Sequence, residues 1–260
     1  MPSAQLNGVN IFYEKMGRGT PIILVHPPVL SSISFLHQME GLSRNFLTVR
    51  FDIRGHGRSQ ASQQAITYPL IVEDIIHLMD HLEIKEAYLC GYSTGASIVL
   101  EFLLTHPNRA LGGILVGGMS EIHDFRLATR IRLGILSTKI GAIRPLALSL
   151  SWSNSDTKGL MWKTYQESKL GNPKNMEQYY RASLHYNCTA RLKLIHVPVL
   201  LVYGVEDHGF HSYSRVLHDR LPNSELTFVQ NIKHQIPTKA APALNKRIEQ
   251  FVKTHEVSNF

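Results

Sequence analysis

Cysteine is scarce in this chain: Cys90 and Cys188 are the only two in 260 residues. That excludes a disulfide framework and any C-x-x-C zinc or redox motif. Long apolar runs are missing as well, since no stretch reaches the roughly 18 uncharged apolar residues that would span a bilayer. The first residues, MPSAQLNG, carry no basic residue leading into an apolar run, so no signal peptide is expected. Nowhere do five or more basic residues stand together, and no nucleic-acid-binding module is recognisable. Internal repeats and low-complexity tracts are also lacking. The expectation is a soluble, cytoplasmic protein with no nucleic-acid partner and no stable membrane insertion.

What is present is ordinary globular composition, 43% hydrophobic and 18% charged residues. A chain of this length buries enough surface to need no metal or disulfide staple. The net charge of +7 is uneven: residues 121–193 hold twelve basic and five acidic residues, and the remainder balances at 15 of each sign.

Short apolar runs alternate with helical patterns, which predicts an α/β protein with a largely parallel sheet. Val9 to Lys15 (VNIFYEK) reads as an edge-side hairpin strand. The runs IILVH, FLTVRFD (46–52), EAYLCG (86–91) and LGGILVGG (111–118) read as buried strands. Pro69 opens a helix whose Ile71, Ile75, Leu78 and Leu82 form one stripe. From 121 to 190 strand rhythm stops and amphipathic helices dominate, broken by Gly134, Gly141, Pro145, Gly159, Gly171 and Pro173. It returns with VPVLLVYG (197–204) and ELTFVQ (225–230), before a final helix from about Thr238 to Lys253. The domain reading is a core of 1–120 and 191–260 interrupted by a helical cap, 121–190. The terminal HEVSNF is expected to fray.

The strongest chemical signal is Gly91-Tyr92-Ser93-Thr94-Gly95, a G-x-S-x-G at a strand-to-helix junction. Such a turn projects a serine oxygen above the strand ends, beside the positive end of a helix. A serine attacks only if a base takes its proton, and a histidine base needs a carboxylate to hold its tautomer. The run VPVLLVYG ends at Glu206-Asp207 and ELTFVQ at the His234 loop, so the order is Ser93, Asp207, His234. Glu206, beside Asp207, and Glu121, after the 111–118 strand, are alternative acids. His77 and His81, near Asp74 and Asp80, have metal-ligand spacing but sit on the polar side of their helix, and no metal or other cofactor is expected.

IILVHPP (22–28), FDIRGHGRS (51–59), GYSTGAS (91–97), VYGVED (202–207) and the His234 loop together resemble the α/β-hydrolase fold superfamily. The resemblance implies a mostly parallel sheet flanked by helices, with a helical cap inserted after the sixth strand. It favours Asp207, three residues past the strand glycine, as the acid. His26 and His56 would brace the loops rather than transfer protons. Two backbone N–H donors should form an oxyanion hole. One is Thr94. The family's second donor falls at Pro28, which has no N–H, so Val29 is expected to replace it. The implied reaction is cleavage of a small-molecule carboxylic ester with a small to medium acyl group, as in a carboxylesterase. Lactones, a carbon–carbon bond beside a ketone, and a slow-turnover receptor are the alternatives. Leu127, Ile131, Ile135, Leu136, Ile140, Trp152 and Trp162 of the cap supply apolar surface for a pocket. His123, His185, His208 and His211 are further candidates to line it.

Overall fold

A computed structural model of the chain describes residues 3–255. Its strands are β1 (Ser3–Leu6), β2 (Val9–Met16), β3 (Pro21–Val25), β4 (Leu47–Phe51), β5 (Ala87–Tyr92), β6 (Ala110–Val116), β7 (Val199–Gly204) and β8 (Ser224–Val229). The α-helices are α1 (Leu36–Leu42), α2 (Tyr68–His81), α3 (Thr94–Thr105), α4 (Phe125–Lys139) and α5 (Ile143–Ser153). They continue as α6 (Lys158–Ser168), α7 (Pro173–His185), α8 (His211–Arg220), α9 (Ile236–Lys239) and α10 (Ala241–His255).

The strands make one sheet in the order β1-β2-β4-β3-β5-β6-β7-β8. The β1–β2 and β2–β4 pairings are antiparallel and all the others parallel. The continuous apolar runs follow from burial on both faces. In β3, Ile22 and Leu24 join Met39 of α1 and Leu244 and Ile248 of α10 in one apolar layer. Ile23 and Val25 join Ile71 of α2, Val99 of α3 and Leu217 of α8 in the other. The alternation is the two-residue period of a strand, expressed twice.

The chain leaves β3 for β4 on one side and returns to β5 on the other, so β3 and β5 lie side by side while their following loops diverge. Such a reversal opens a crevice beyond the carboxyl ends of the strands. It places residues 26–31 next to the turn that follows β5.

Two expectations need correction. The strand VNIFYEK is not at the edge: β1 lies outside it, pairing Ala4 with Ile11 and Leu6 with Val9. Four residues reading SAQL carry too little pattern to announce a strand. The closing helix is two helices, α9 and α10, joined at Ala240. Pro242 has no N–H and fits only the first turn of a new helix, which forces the break. Of the HEVSNF tail, residues 256–260 lie outside the described residues.

Helices α4 to α7 occupy the stretch between β6 and β7. Asp124, Thr157 and Asn172 cap three of them, each side chain accepting a backbone N–H from the first turn. They are tied to the strand-end loops at several points. The Tyr179 hydroxyl donates to the His26 carbonyl oxygen at 3.0 Å, and Asn175 Oδ1 accepts the Ser62 N–H at 2.8 Å. Glu167 takes the Ser31 hydroxyl at 2.9 Å and pairs with Arg58. The apolar residues of this segment divide unevenly. Leu127 and Ile131 face the crevice, whereas Leu136, Ile140, Trp152 and Trp162 are exposed and line no cavity at the crevice. Helical period alone does not say which stripe meets the sheet, and here α4 turns inward the stripe that runs from Leu127 through Ile131 to Ile135, with Ile131 and Ile135 buried. Among the described residues no helix is long and apolar enough to cross a membrane.

Candidate active site

Ser93 stands between β5 and α3 with φ 56 and ψ −123, backbone angles that cost a non-glycine residue of order 1–3 kcal/mol. Two glycines make the turn possible. A Cβ on Gly91 would lie 2.4 Å from the Gly95 carbonyl oxygen, and one on Gly95 2.2 Å from the Val25 carbonyl oxygen. Strand and helix therefore approach at distances that only glycine permits.

Three side chains from three strand-end loops meet here. His234 Nδ1 is 2.7 Å from Asp207 Oδ2, and His234 Nε2 is 3.0 Å from Ser93 Oγ. A carboxylate only accepts, so Nδ1 carries the proton and Nε2 keeps a lone pair for the serine hydroxyl. The imidazole is held by rings as well: Phe210 lies 4.2 Å away and Tyr92 5.3 Å, between centroids. Glu206 is exposed and, among the described residues, makes no hydrogen bond or ion pair with His234, while Glu121 accepts from the Asn187 side-chain amide. Of the candidate carboxylates, the one in reach of the imidazole is Asp207.

Thr94 begins α3, and its backbone N–H has no helical acceptor. Val29 is buried at φ 69, a left-handed conformation rare for a β-branched residue. Its side chain packs with Ile143, Ala147 and Met176 from α5 and α7. Pro27 and Pro28 precede it, and both line the cavity at Ser93 together with Leu30.

Beneath this loop His26 acts as a brace. Its Nε2 accepts the Ile53 N–H at 2.9 Å, and Nδ1–H donates to the Pro27 carbonyl oxygen at 2.9 Å. Asp52 accepts the backbone N–H groups of Ser32 and Arg58, both at 2.8 Å, which joins the β3 and β4 loops. Burial pushes the His26 pKa down to about 4. His56 falls to about 3 through burial and then the neighbouring His26 charge. Below pH 6.5 the unfolded chain takes a proton on each ring while the folded chain does not. The stability these neutral rings represent is complete above that pH and is lost as pH falls towards 4 and 3. In His56→Phe the dependence of unfolding free energy on pH between 6 and 4.5 is expected to flatten by about 1 kcal/mol per pH unit. Urea midpoints at several pH values test this, and an unchanged slope contradicts it.

The remaining histidine candidates do not meet Ser93. His185 is exposed, His211 bonds the Gly204 carbonyl oxygen, and His123 lies against Tyr213. His208 lines an adjoining cavity of about 360 Å³ on the Asp207 side, which shares Leu127 and His234 with the cavity at Ser93. His77 and His81 are exposed, and Asp74 is buried against Arg54 instead of facing them. Among the described residues no group of three or more His, Cys, Asp or Glu could hold a metal ion.

The cavity at Ser93 measures about 140 Å³. Leu127 and Ile131 line it as anticipated, but Tyr92, Leu150, Asn154 and Tyr180 line it as well. Tyr92 was hidden in the variable position of G-x-S-x-G, and Asn154 in a polar stretch after a helix. Neither carries a sequence signal of its own. The Tyr92 hydroxyl donates to Asn154 Oδ1 at 2.8 Å. Burial, followed by the Asp207 charge, raises the Tyr92 pKa, so the phenol stays protonated as a donor.

A family model described as Serine aminopeptidase, S33 (Hydrolase_4) matches residues 21–239. The Uncharacterized hydrolase YugF of Bacillus subtilis (strain 168) is 26% identical over 264 residues, covering 95% of this chain and 96% of that protein. The enol-lactonase from Burkholderia xenovorans LB400 superposes with TM-score 0.85 at 20% identity, covering 97% of this chain and all of that one. The esterase EaEST from Exiguobacterium antarcticum gives TM-score 0.86 at 20% identity, over 96% and 98% of the two chains. The structural likenesses carry the fold, and the matched span runs from β3 through the Ser93 turn to the His234 loop. With the sheet order and the strand-end loops described above, they establish that this chain is an α/β-hydrolase-fold protein belonging to the family of hydrolases described as Serine aminopeptidase, S33.

Proposed function

We propose that the chain hydrolyses carboxylic esters of small acyl groups through an acyl-enzyme on Ser93. The observation that carries this is the unbroken line of hydrogen bonds Ser93–His234–Asp207 at the mouth of a mainly apolar cavity. His234 Nε2 takes the hydroxyl proton as Ser93 Oγ attacks the substrate carbonyl carbon. Asp207 holds the ring and stabilises the imidazolium. The carbonyl oxygen becomes negative and lies near the start of α3, where the Thr94 N–H and the helix dipole stabilise it. Val29 N–H is the second donor. Its strained φ is the reason to assign it this task, because such strain persists where surrounding structure enforces it and clusters at functional sites. His234 then returns the proton to the leaving alcohol, and a water molecule releases the acid by the same route.

Ester cleavage fits this cavity better than removal of an N-terminal amino acid. An aminopeptidase must hold a substrate ammonium group, which calls for a carboxylate. The residues lining the Ser93 cavity include no Asp or Glu.

The test is labelling with a fluorophosphonate, followed by mass mapping of the adduct. Modification of Ser93, slowed while a short-chain ester is present in excess, is the expected result. An adduct elsewhere, or none, rules the mechanism out.

A further inference from the structure

The hydrogen bond between Tyr92 and Asn154 joins the nucleophile turn to the loop between α5 and α6, and both residues line the Ser93 cavity. It is buried, and it is well anchored on each side. The Tyr92 ring rests against His234. Asn154 Nδ2 donates to the Leu150 carbonyl oxygen at 3.0 Å and to Ser153 Oγ at 3.1 Å. The amide therefore has its oxygen fixed towards Tyr92, and both its polar ends are satisfied.

A second cavity, of about 240 Å³, lies along the same loop. Trp152, Ser155, Asp156 and Thr157, which flank Asn154 in the chain, line it. The buried Ser155 hydroxyl has no hydrogen-bond partner among the described residues. By volume the Ser93 cavity is small: an apolar cavity of roughly 150 Å³ takes one benzene, six heavy atoms. At about 140 Å³ its space matches a carboxyl group and about three further carbons.

We propose that the Tyr92–Asn154 hydrogen bond is the end wall of the acyl cavity, which restricts substrates to acyl chains of up to about four carbons. Breaking the bond joins the cavity to the one around Trp152 and Ser155 and admits longer chains. Tyr92 and Asn154 are thus specificity-determining residues. The proposal rests on the ester-hydrolase function above but adds a separate claim, about length rather than chemistry. An acyl chain that pushes the two side chains apart leaves a buried phenol and a buried amide unpaired, a cost that rejects it.

The measurement is kcat/KM for p-nitrophenyl acetate, butyrate and octanoate, taken on the full chain. In the wild type octanoate is expected to fall at least about tenfold below butyrate, and Asn154→Ala to raise the octanoate-to-acetate ratio about tenfold or more. Asn154 also bonds the end of α5, so Tyr92→Phe is the second variant. It keeps the ring against His234 and removes only the donor, and the ratio should move the same way by less. A wild type that prefers octanoate, or a ratio unchanged in both variants, overturns the proposal. If the wild type cleaves none of the three esters, the ester chemistry fails, and calorimetry with butyrate and octanoate then decides the wall alone. Butyrate binding to the wild type, with octanoate binding only to the variants, supports it. Equal binding of both acids to the wild type, or no gain of octanoate binding in either variant, refutes it.

Discussion

Ser93→Ala is expected to lower kcat/KM for p-nitrophenyl butyrate by about 10⁴–10⁶-fold while the folded state is retained. The size follows from the division of labour at the site. Without the hydroxyl no acyl-enzyme forms, and His234 and Asp207 have nothing to activate. What survives is substrate binding and the backbone donors near Thr94, which by themselves leave roughly 10³–10⁴-fold acceleration over water in comparable enzymes. The fold should tolerate the change, because among the described residues Ser93 Oγ bonds only His234 and the alanine keeps the same Cβ at the same strained φ. Asp207→Asn is expected to cost about 10⁴-fold, since an amide in place of the carboxylate lets the ring take the wrong tautomer. Stopped assays on purified variants, with unfolding curves to show that they fold, give the answer. Ser93→Ala activity within tenfold of wild type would mean that another residue is the nucleophile.

The second large effect is on stability, and it sits away from the chemistry. Arg54 Nε donates to Asp74 Oδ2 at 2.6 Å, Arg54 Nη2 to Asp74 Oδ1, and both side chains are essentially inaccessible to solvent. Asn7 completes the cluster: its side-chain amide donates to Asp74 at 2.9 Å and its carbonyl oxygen accepts from Arg54 at 3.1 Å. The Arg54 guanidinium also reaches Ser62. In this way the β4 loop is joined to α2 and the β1–β2 hairpin. Arg54→Met leaves a carboxylate buried with no cation, and a loss of about 3–5 kcal/mol is expected at neutral pH. Burial raises the Asp74 pKa and Arg54 opposes that rise. In the variant the carboxyl is therefore neutral to higher pH, and the loss should shrink on acidification. The double variant Arg54→Met/Asp74→Leu should recover much of the stability, because no charge then remains buried. Guanidinium unfolding of the two variants decides the matter. A single variant as stable as the wild type would show that Asp74 does not depend on Arg54 for its burial.

The motif G-x-S-x-G was legible because its requirements are local. Two glycines, a strand run before and a helix pattern after define the turn wherever the rest of the chain goes. The two partner loops were legible because strands of a parallel sheet end on the same side, so the residues after VPVLLVYG and ELTFVQ had to arrive near the serine. His26 was set apart from the proton-transferring group by the resemblance of its loop, IILVHPP, to the family's. The structure shows it spent on Ile53 and Pro27. The pairing of Asp74 with Arg54 was not legible at all. Helical spacing reports which residues share a face, and it is silent about a guanidinium arriving from another loop.

The amino-acid sequence by itself determined the class of fold and the strand ends at which Ser93, the Glu206-Asp207 pair and His234 fall, because each depends on period, local backbone demands and chain direction. Only the tertiary structure decided the shape of the cavity. The Tyr92–Asn154 bond spans 62 residues and the Tyr179–His26 bond 153, and no periodicity encodes either. Which stripe of α4 faces the crevice, and which carboxylate meets Arg54, are likewise settled by packing. A side chain's partner at long range is set by the sum of all the contacts that hold both segments, and that sum exists only in the folded chain.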